Sequence, residues 1–405
     1  MKKTYLIISI MVLTGLTSCK KEGCTDPAAD NYSQNAQEDD GSCDYTVEAL
    51  TEDITTPTTL GGNMIEVCGD ISVSSDLTIQ AGATLVMCAG ASITIEETGY
   101  LNAVGTASSP IVFKGATETK GFWEGIAIKS NNPNNKLEYV TVKDAGTYWG
   151  WEFANVFVKS GAKLELRNST IDNSDNIGLF VSESATLSNF SNNTFSNNTT
   201  GLDLHVANLD EIDESSNYNQ GNTNDFINVR SGTISSDANW VATTTPYLFS
   251  GVYIEAGVSI DPGAILLMEA DSYIQVNSTG YLNATGTTSE KIEIKGRYAS
   301  PGFWDGMKIG SNNPNNQLAN AIISDGGSYW GYDYANIYLD GALVMDDCQV
   351  SNANSWGLNI TNSSSINSGG SNQTDAAGVE SNNTFSNNGT GSNASCSNGC
   401  GVNFE

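Results

Sequence analysis

The chain contains one long segment twice. Residues 99–155, read 181 positions later, become residues 280–336 without a gap, and 30 of the 57 aligned positions are identical. GYLNAVGT returns as GYLNATGT, GFWEG as GFWDG, SNNPNN unchanged, and TYWGWEFAN as SYWGYDYAN. The register extends upstream, where AGATLVM at 81–87 matches PGAILLM at 262–268. Downstream it drifts slightly, so that Gly178 pairs with Gly357, and SNNTFSNN recurs at 191–198 and 381–388. A unit of about 140 residues is too long for a single solenoid repeat, so a shorter period must be nested inside each copy.

That shorter period is made of strands. From about Met64, runs such as IEVCG, LTI, TLVM, SITI, IVFKG, GIAIKS and LEYVTVKD alternate apolar and polar residues, with Gly, Asn, Asp or Ser between most of them. The apolar anchors Leu77, Ile93, Ile111, Ile126, Val140, Val156, Ile171 and Leu187 fall 14 to 18 residues apart. No helical periodicity is available to cover the faces of an ordinary parallel sheet, and a coil closed on itself solves that problem by packing its strands inward. Asn-rich corners such as NNPNN and SNNTFSNN suit tight turns and can stack as side-chain ladders along a coil axis. Cys68 and Cys88 are 20 residues apart, about one coil, close enough for a disulfide between neighbouring rungs. The expected fold is all-β: a right-handed parallel β-helix solenoid built from two tandem copies of one module.

The wording of the repeats, G-x-L-x-A-x-G-T, then G-x-W-x-G-I-x-I, an Asn-rich corner and a D-x-G turn, resembles exported bacterial right-handed parallel β-helix proteins of the pectate-lyase-like superfold. Trp240 with the downstream IDPG at 260–263 resembles the opening of such a module, which places copy one with its connecting coil at 64–239 and copy two with a C-terminal cap at 240–405. The resemblance implies a fold, but lyases, hydrolases, adhesins and inert stalks all use it.

The N-terminus reads as an address. Lys2 and Lys3 precede an apolar run at 5–13 that is too short to span a bilayer, and LTSC ends at Cys19. This resembles a bacterial lipoprotein signal, with residues 1–18 removed and Cys19 lipidated. It implies an exported, membrane-anchored protein on the outer membrane or cell surface; an ordinary secretory signal is the alternative. Residues 19–63 then form a Cys-bracketed acidic spacer and linker. GCTDPAADNYSQNAQEDDGSC resembles a short motif of exported Bacteroidetes-type proteins and the Asp-rich calcium loops of thrombospondin type 3 repeats. That likeness makes Asp26, Asp30, Asp39 and Asp40 weak Ca²⁺ candidates, although the alternating Asp pattern of a calcium loop is missing. No other cofactor is expected. Cys24 with Cys43 and Cys396 with Cys400 are further disulfide candidates, in keeping with export, and Cys348 is left over as a buried thiol.

Charge narrows the partners. Seventeen basic residues against 46 acidic ones give a formal −29, which opposes binding to nucleic-acid phosphates and to anionic headgroups through a basic face. Each copy carries an aromatic and acidic constellation: Phe122, Trp123, Glu124, Asp144, Tyr148, Trp149, Trp151, Glu152 and Phe153 in the first, and Phe303, Trp304, Asp305, Asp325, Tyr329, Trp330, Tyr332, Asp333 and Tyr334 in the second. Flat aromatic faces beside carboxylates and amides suit sugar rings. The expected ligand residues are Tyr148, Trp149, Trp151, Tyr329, Trp330 and Tyr332, and the expected partner is a polysaccharide or cell-surface glycan. Trp123 and Trp304 read as core instead. Catalysis is the rival: Glu124 with Glu152, or Asp305 with Asp333, could act as acid and base in glycoside hydrolysis. A lyase would need a repeated basic residue, and the counterparts of Lys129 and Lys143 are Gly310 and Ser324. His205 stands alone and reads as structural. A stalk without ligand is the third alternative.

Overall fold

The computed structural model describes residues 20–405 except 28, 30, 45, 46, 63, 148–152 and 393–399. Cys19 and the residues before it therefore lie outside the described residues. Two compact units are present, Met1–Glu48 and Ala49–Glu405. In the first, Cys24 and Cys43 form a disulfide with Cα atoms 4.7 Å apart. Asp39 and Asp40 spend carboxylate oxygens on the N–H groups of Gly41 and Ser42 two residues on, at 3.1 and 2.9 Å. That is the geometry of Asx turns. Asp30 lies outside the described residues.

The second unit is a parallel β-helix solenoid. In copy one each coil lays one short strand on each of three sheets. Thr84–Met87, Ser92–Ile95 and Tyr100–Val104 make one coil, and Ile111–Gly115, Gly125–Ile128 and Lys136–Glu138 the next. Strands of three to five residues suffice because inward and outward side chains alternate. Leu85, Ile93 and Leu101 point inward and are fully buried. Rungs stack in parallel register, Ser92 beside Gly125 and Ile126 beside Val156. The inward residues merge into one continuous apolar core that runs from Leu50 to Val402.

The 14-to-18-residue anchor spacing is not the coil length. Successive anchors sit on different faces of the coil, whereas paired rungs are separated by as few as 19 residues (Thr58 to Leu77) and as many as 44 (Leu358 to Val402). Loops leaving the corners absorb the difference. The body also starts earlier than Met64, since Ile54 and Leu60 are buried and Thr58–Leu60 pairs with Asp76–Ile79. With Leu60 its one buried residue, the strand Thr58–Leu60 is too short to register as an apolar pattern.

Sheet order at the junction gives a result that the sequence does not contain. A single sheet of 13 strands runs through both copies, so the solenoid is continuous. In copy one that sheet holds Ser92–Ile95 and Gly125–Ile128; in copy two it holds Ile265–Met268 and Ile292–Gly296. Yet the 181-residue offset equates Ile265–Met268 with Thr84–Met87, which lies on a different sheet. The second copy is therefore turned one face around the coil relative to the first. The turn is made where the 3₁₀ helix Val206–Glu211 packs between the old strand Thr186–Ser191 and the new strands Gly232–Ile234 and Ala238–Trp240. His205 caps that helix by accepting from the Ala207 N–H at 3.3 Å, a structural role. The new sheets begin at Gly232, ahead of Trp240, whose ring is fully buried against Phe249.

The Asn-rich corners stitch rungs through the backbone, not through stacked side chains. Asn135 and Asn316, the last residues of the two SNNPNN corners, accept from the Leu101 and Leu282 N–H groups and donate to the Ser130 and Ser311 carbonyls. Asn193 and Asn198, from SNNTFSNN, do the same for the preceding coil. Each buried amide satisfies one donor and one acceptor that a loop exit would leave unpaired.

Cys68 and Cys88 are joined, on rungs placed side by side by the Val67–Met87 pairing. At a sequence separation of 20, replacing both by alanine is expected to cost about 2–4 kcal/mol. Hydrogen exchange should show the loss concentrated in the first coils; uniform protection would refute a local clamp. Cys400 is also disulfide-bonded, and its expected partner Cys396 lies outside the described residues. Cys348 is a buried free thiol, pushed up to about 12 by burial.

Candidate functional site

The twin motifs GFWEG and GFWDG build equivalent exits from the coil. Trp123 and Trp304 are fully buried, and their indole N–H groups donate to the Lys143 and Ser324 carbonyls at 2.8 and 2.7 Å. They belong to the core, as expected. Asp144 and Asp325 are buried at left-handed turns and hold Asn173 and Asn352 of the next coil at 2.7 and 2.6 Å. These acids are joints of the scaffold.

In copy two the loop after this motif is an aromatic knot. Trp330–Tyr332 forms one turn of 3₁₀ helix, followed by two consecutive left-handed residues, Asp333 and Tyr334. Tyr332 is 6% exposed, stacks on Tyr338 at 6.0 Å and donates its hydroxyl to Gln275 Oε1 at 2.9 Å. It anchors the loop, so the expectation that Tyr332 touches ligand does not fit its burial. Tyr329 stands edge-on to it at 5.1 Å, and Trp330 is 70% exposed, the most exposed large apolar side chain of the described residues. A ligand can reach Tyr329 and Trp330. Tyr148, Trp149, Trp151 and Glu152, the copy-one counterparts, lie outside the described residues.

The acids of copy two do not share neighbours. Asp305 accepts from the Ser328 hydroxyl and faces Asp271; burial raises its pKa and the hydroxyl opposes that. Asp333 faces Glu405 and Asn359; burial, then Glu405, raise its pKa. The two carboxylates are engaged in separate hydrogen-bond sets.

Copy one holds a groove of about 630 Å³ on the outer side of the 13-stranded sheet. Its floor is apolar, formed by outward Ala127 and Phe157 on adjacent rungs. Phe157 packs on Phe180 at 5.4 Å, and both belong to a small apolar cluster separate from the core. Glu124 stands at the start of the strands, and Lys129 and Lys159 at their far ends. Lys129 is neutralised by Glu96 at 3.0 Å. Glu124 Oε2 is buried without a hydrogen-bond partner, and desolvation, with the Asp70 charge adding to it, pushes this carboxyl up to about 7. Phe157 escaped sequence reading because an aromatic in a strand is ordinarily core; only the inward and outward alternation of ANVFV marks it as facing out.

The raised Glu124 has a defined sign for stability. The folded chain holds this proton more tightly than the unfolded chain, so the contribution is complete below the ordinary 4.5 and is lost as pH rises through about 7. Glu124→Gln should flatten the fall in melting temperature across that window. A fall of unchanged steepness in the variant would assign it to other groups.

The one cluster of metal-type ligands among the described residues is Glu66 with Cys68 and Cys88. Both sulfurs are consumed by the disulfide, leaving a single carboxylate. Comparison with known protein families, curated proteins and solved structures returned no match to this chain.

Proposed function

We propose that this is a surface-anchored β-helix lipoprotein of the exported Bacteroidetes type that binds or adheres to glycans without turning them over. Cys19 would carry the lipid at the outer membrane or cell surface, the Cys24–Cys43 unit would act as spacer, and the solenoid would present the ligand sites. The observation that carries the reading is Trp330: a 70% exposed indole with Tyr329 beside it, held out on a loop that Tyr332 anchors. An exposed, positioned aromatic pair offers a sugar ring a flat apolar face.

The test is a polysaccharide panel on the intact chain, reading binding and product release together, with and without Ca²⁺. Trp330→Ala should weaken the bound glycan at least tenfold, about 1.4 kcal/mol, with an unchanged melting temperature. Equal binding by the variant would return Trp330 to packing. Shortened or unsaturated products would instead support a hydrolase or lyase, for which Glu124, held near 7 beside Asp70, is the acid the structure favours. Silence throughout would leave a structural stalk.

A further inference from the structure

Copy two carries two aromatic side chains that copy one does without. Tyr253 and Tyr273 point outward from the adjacent rungs Val252–Ile254 and Tyr273–Val276, with ring centres 4.7 Å apart and Tyr253 37% exposed. The 181-residue offset puts Ser72 and Ser92 at these positions in copy one, on rungs that pair in the same parallel way. The coil closes equally well with serine there, so packing does not demand the two tyrosines. Register sets Tyr253, Gln275, Lys308 and Tyr338 in one outward column over four successive rungs. Tyr332 stacks on Tyr338 and donates its hydroxyl to Gln275, which pins the loop of Tyr329 and Trp330 to this column. Tyr253, Tyr329 and Trp330 are three of the six exposed large apolar side chains among the described residues, and all three belong to this face.

We propose that this face holds an uncharged, extended glycan of the β-1,4-linked type, laid along the rod axis. One sugar would lie on Tyr253 and Tyr273, and others further along the same chain on Tyr329 and Trp330. The inference rests on the glycan reading and adds the class of sugar and its direction. Charge sets the first part. Lys308, the one cation of the column, is paired with Asp340 at 3.4 Å, and Asp305 lies beside Tyr273 with Asp271 next to it. Uronate or sulfated sugars would meet only like charge here, whereas sugar hydroxyls can donate to these carboxylates. Shape sets the second. Sugars with equatorial hydroxyls keep apolar C–H faces, which match flat aromatic rings. A β-1,4-linked chain is a straight ribbon in which each ring advances by about one rung step. From Tyr253 to Tyr338 is three such steps, roughly 14 Å at the spacing of paired strands. An α-linked chain curls away from a straight column.

The test titrates the intact chain calorimetrically with a β-1,4-linked glucose hexamer, with the corresponding dimer and with an α-1,4-linked glucose hexamer. The β-linked hexamer should bind at least tenfold tighter than the dimer, because a chain held by one aromatic pair meets the other at high local concentration. It should exceed the α-linked hexamer by a similar factor. Tyr253→Ala should bring the β-linked hexamer down to the affinity of the dimer, while Tyr253→Phe keeps the ring and the advantage. Both variants should melt as the parent does, since the side chain faces solvent and copy one has serine in its place. A length advantage that survives Tyr253→Ala, or equal affinity for the two hexamers, would overturn the proposal. So would self-association of the chain, read by sedimentation, that Tyr253→Ala abolishes, since the face would then be a contact between copies. If glycans bind in a Trp330-dependent way with no gain from length, the broader reading stands and only this assignment falls. Absence of any glycan binding would overturn both.

Discussion

Trp304→Ala is expected to destabilise the solenoid by about 3–5 kcal/mol, the range for removing a fully buried aromatic side chain. The indole sits where the chain leaves the coil between Ile292–Gly296 and Gly306–Ile309, and the Trp304 backbone forms a parallel bridge with Gly326 of the next coil. A Cβ on Gly326 would lie only 3.2 Å from the indole, so ring and backbone already fill the space and little can collapse into the cavity. The lost N–H bond also leaves the Ser324 carbonyl unpaired. Equilibrium denaturation should show this loss for Trp304→Ala and next to none for Trp330→Ala. A loss under about 1 kcal/mol for Trp304→Ala would mean that the exit is held by its backbone bonds alone.

Gly306→Ala should cost as much, at least about 3 kcal/mol, through a different cause. Gly306 has φ +107°, and a Cβ there would stand 2.4 Å from the Ala335 carbonyl oxygen of the next rung. Neither partner is a flexible side chain, so the rung itself would have to move, at the expense of the 2.8 Å Met307–Asn336 backbone bond. Gly125, at φ +135° with the Ala154 carbonyl 2.3 Å from its would-be Cβ, should respond alike. Denaturation of Gly125→Ala and Gly306→Ala, singly and together, would check this. The two sites share no partners, so the losses should add to within about 0.5 kcal/mol. A stable Gly306→Ala variant would show that the rungs can slide.

These two substitutions explain why GFW[ED]G keeps its Trp and its final Gly in both copies. Its Trp and final Gly are demanded by packing, and only its acidic position is left to vary in role: Glu124 is unsatisfied in one copy and Asp305 is satisfied in the other. The β-helix was legible because alternation, Asn corners and the Cys68–Cys88 spacing all point to stacked parallel rungs. The coil length was not, since anchors 14 to 18 residues apart belong to different faces and loop exits of variable length intervene. The exposed pair Tyr329 and Trp330 could be picked from sequence; the buried anchor Tyr332 could not be told from them, because all three sit in one short aromatic run. The groove was invisible for a related reason. It is defined by Ala127, a small residue that announces nothing until the register sets it beside Phe157.

The one-face turn between the copies has a consequence for valency. Two equal modules stacked in line would give a polymer lying along the rod two grips, and the second would be strengthened by the first through high local concentration. Here the groove of copy one opens on the 13-stranded sheet, while Tyr338 and the loop anchored on it belong to a different side of the coil. A straight strand that follows one side meets one module only. On the glycan reading the protein is a bridge rather than a clamp: each molecule would hold two separate strands, and its effect on a polymer solution would be gelling or clumping at stoichiometric ratios, dispersing again when either side is saturated.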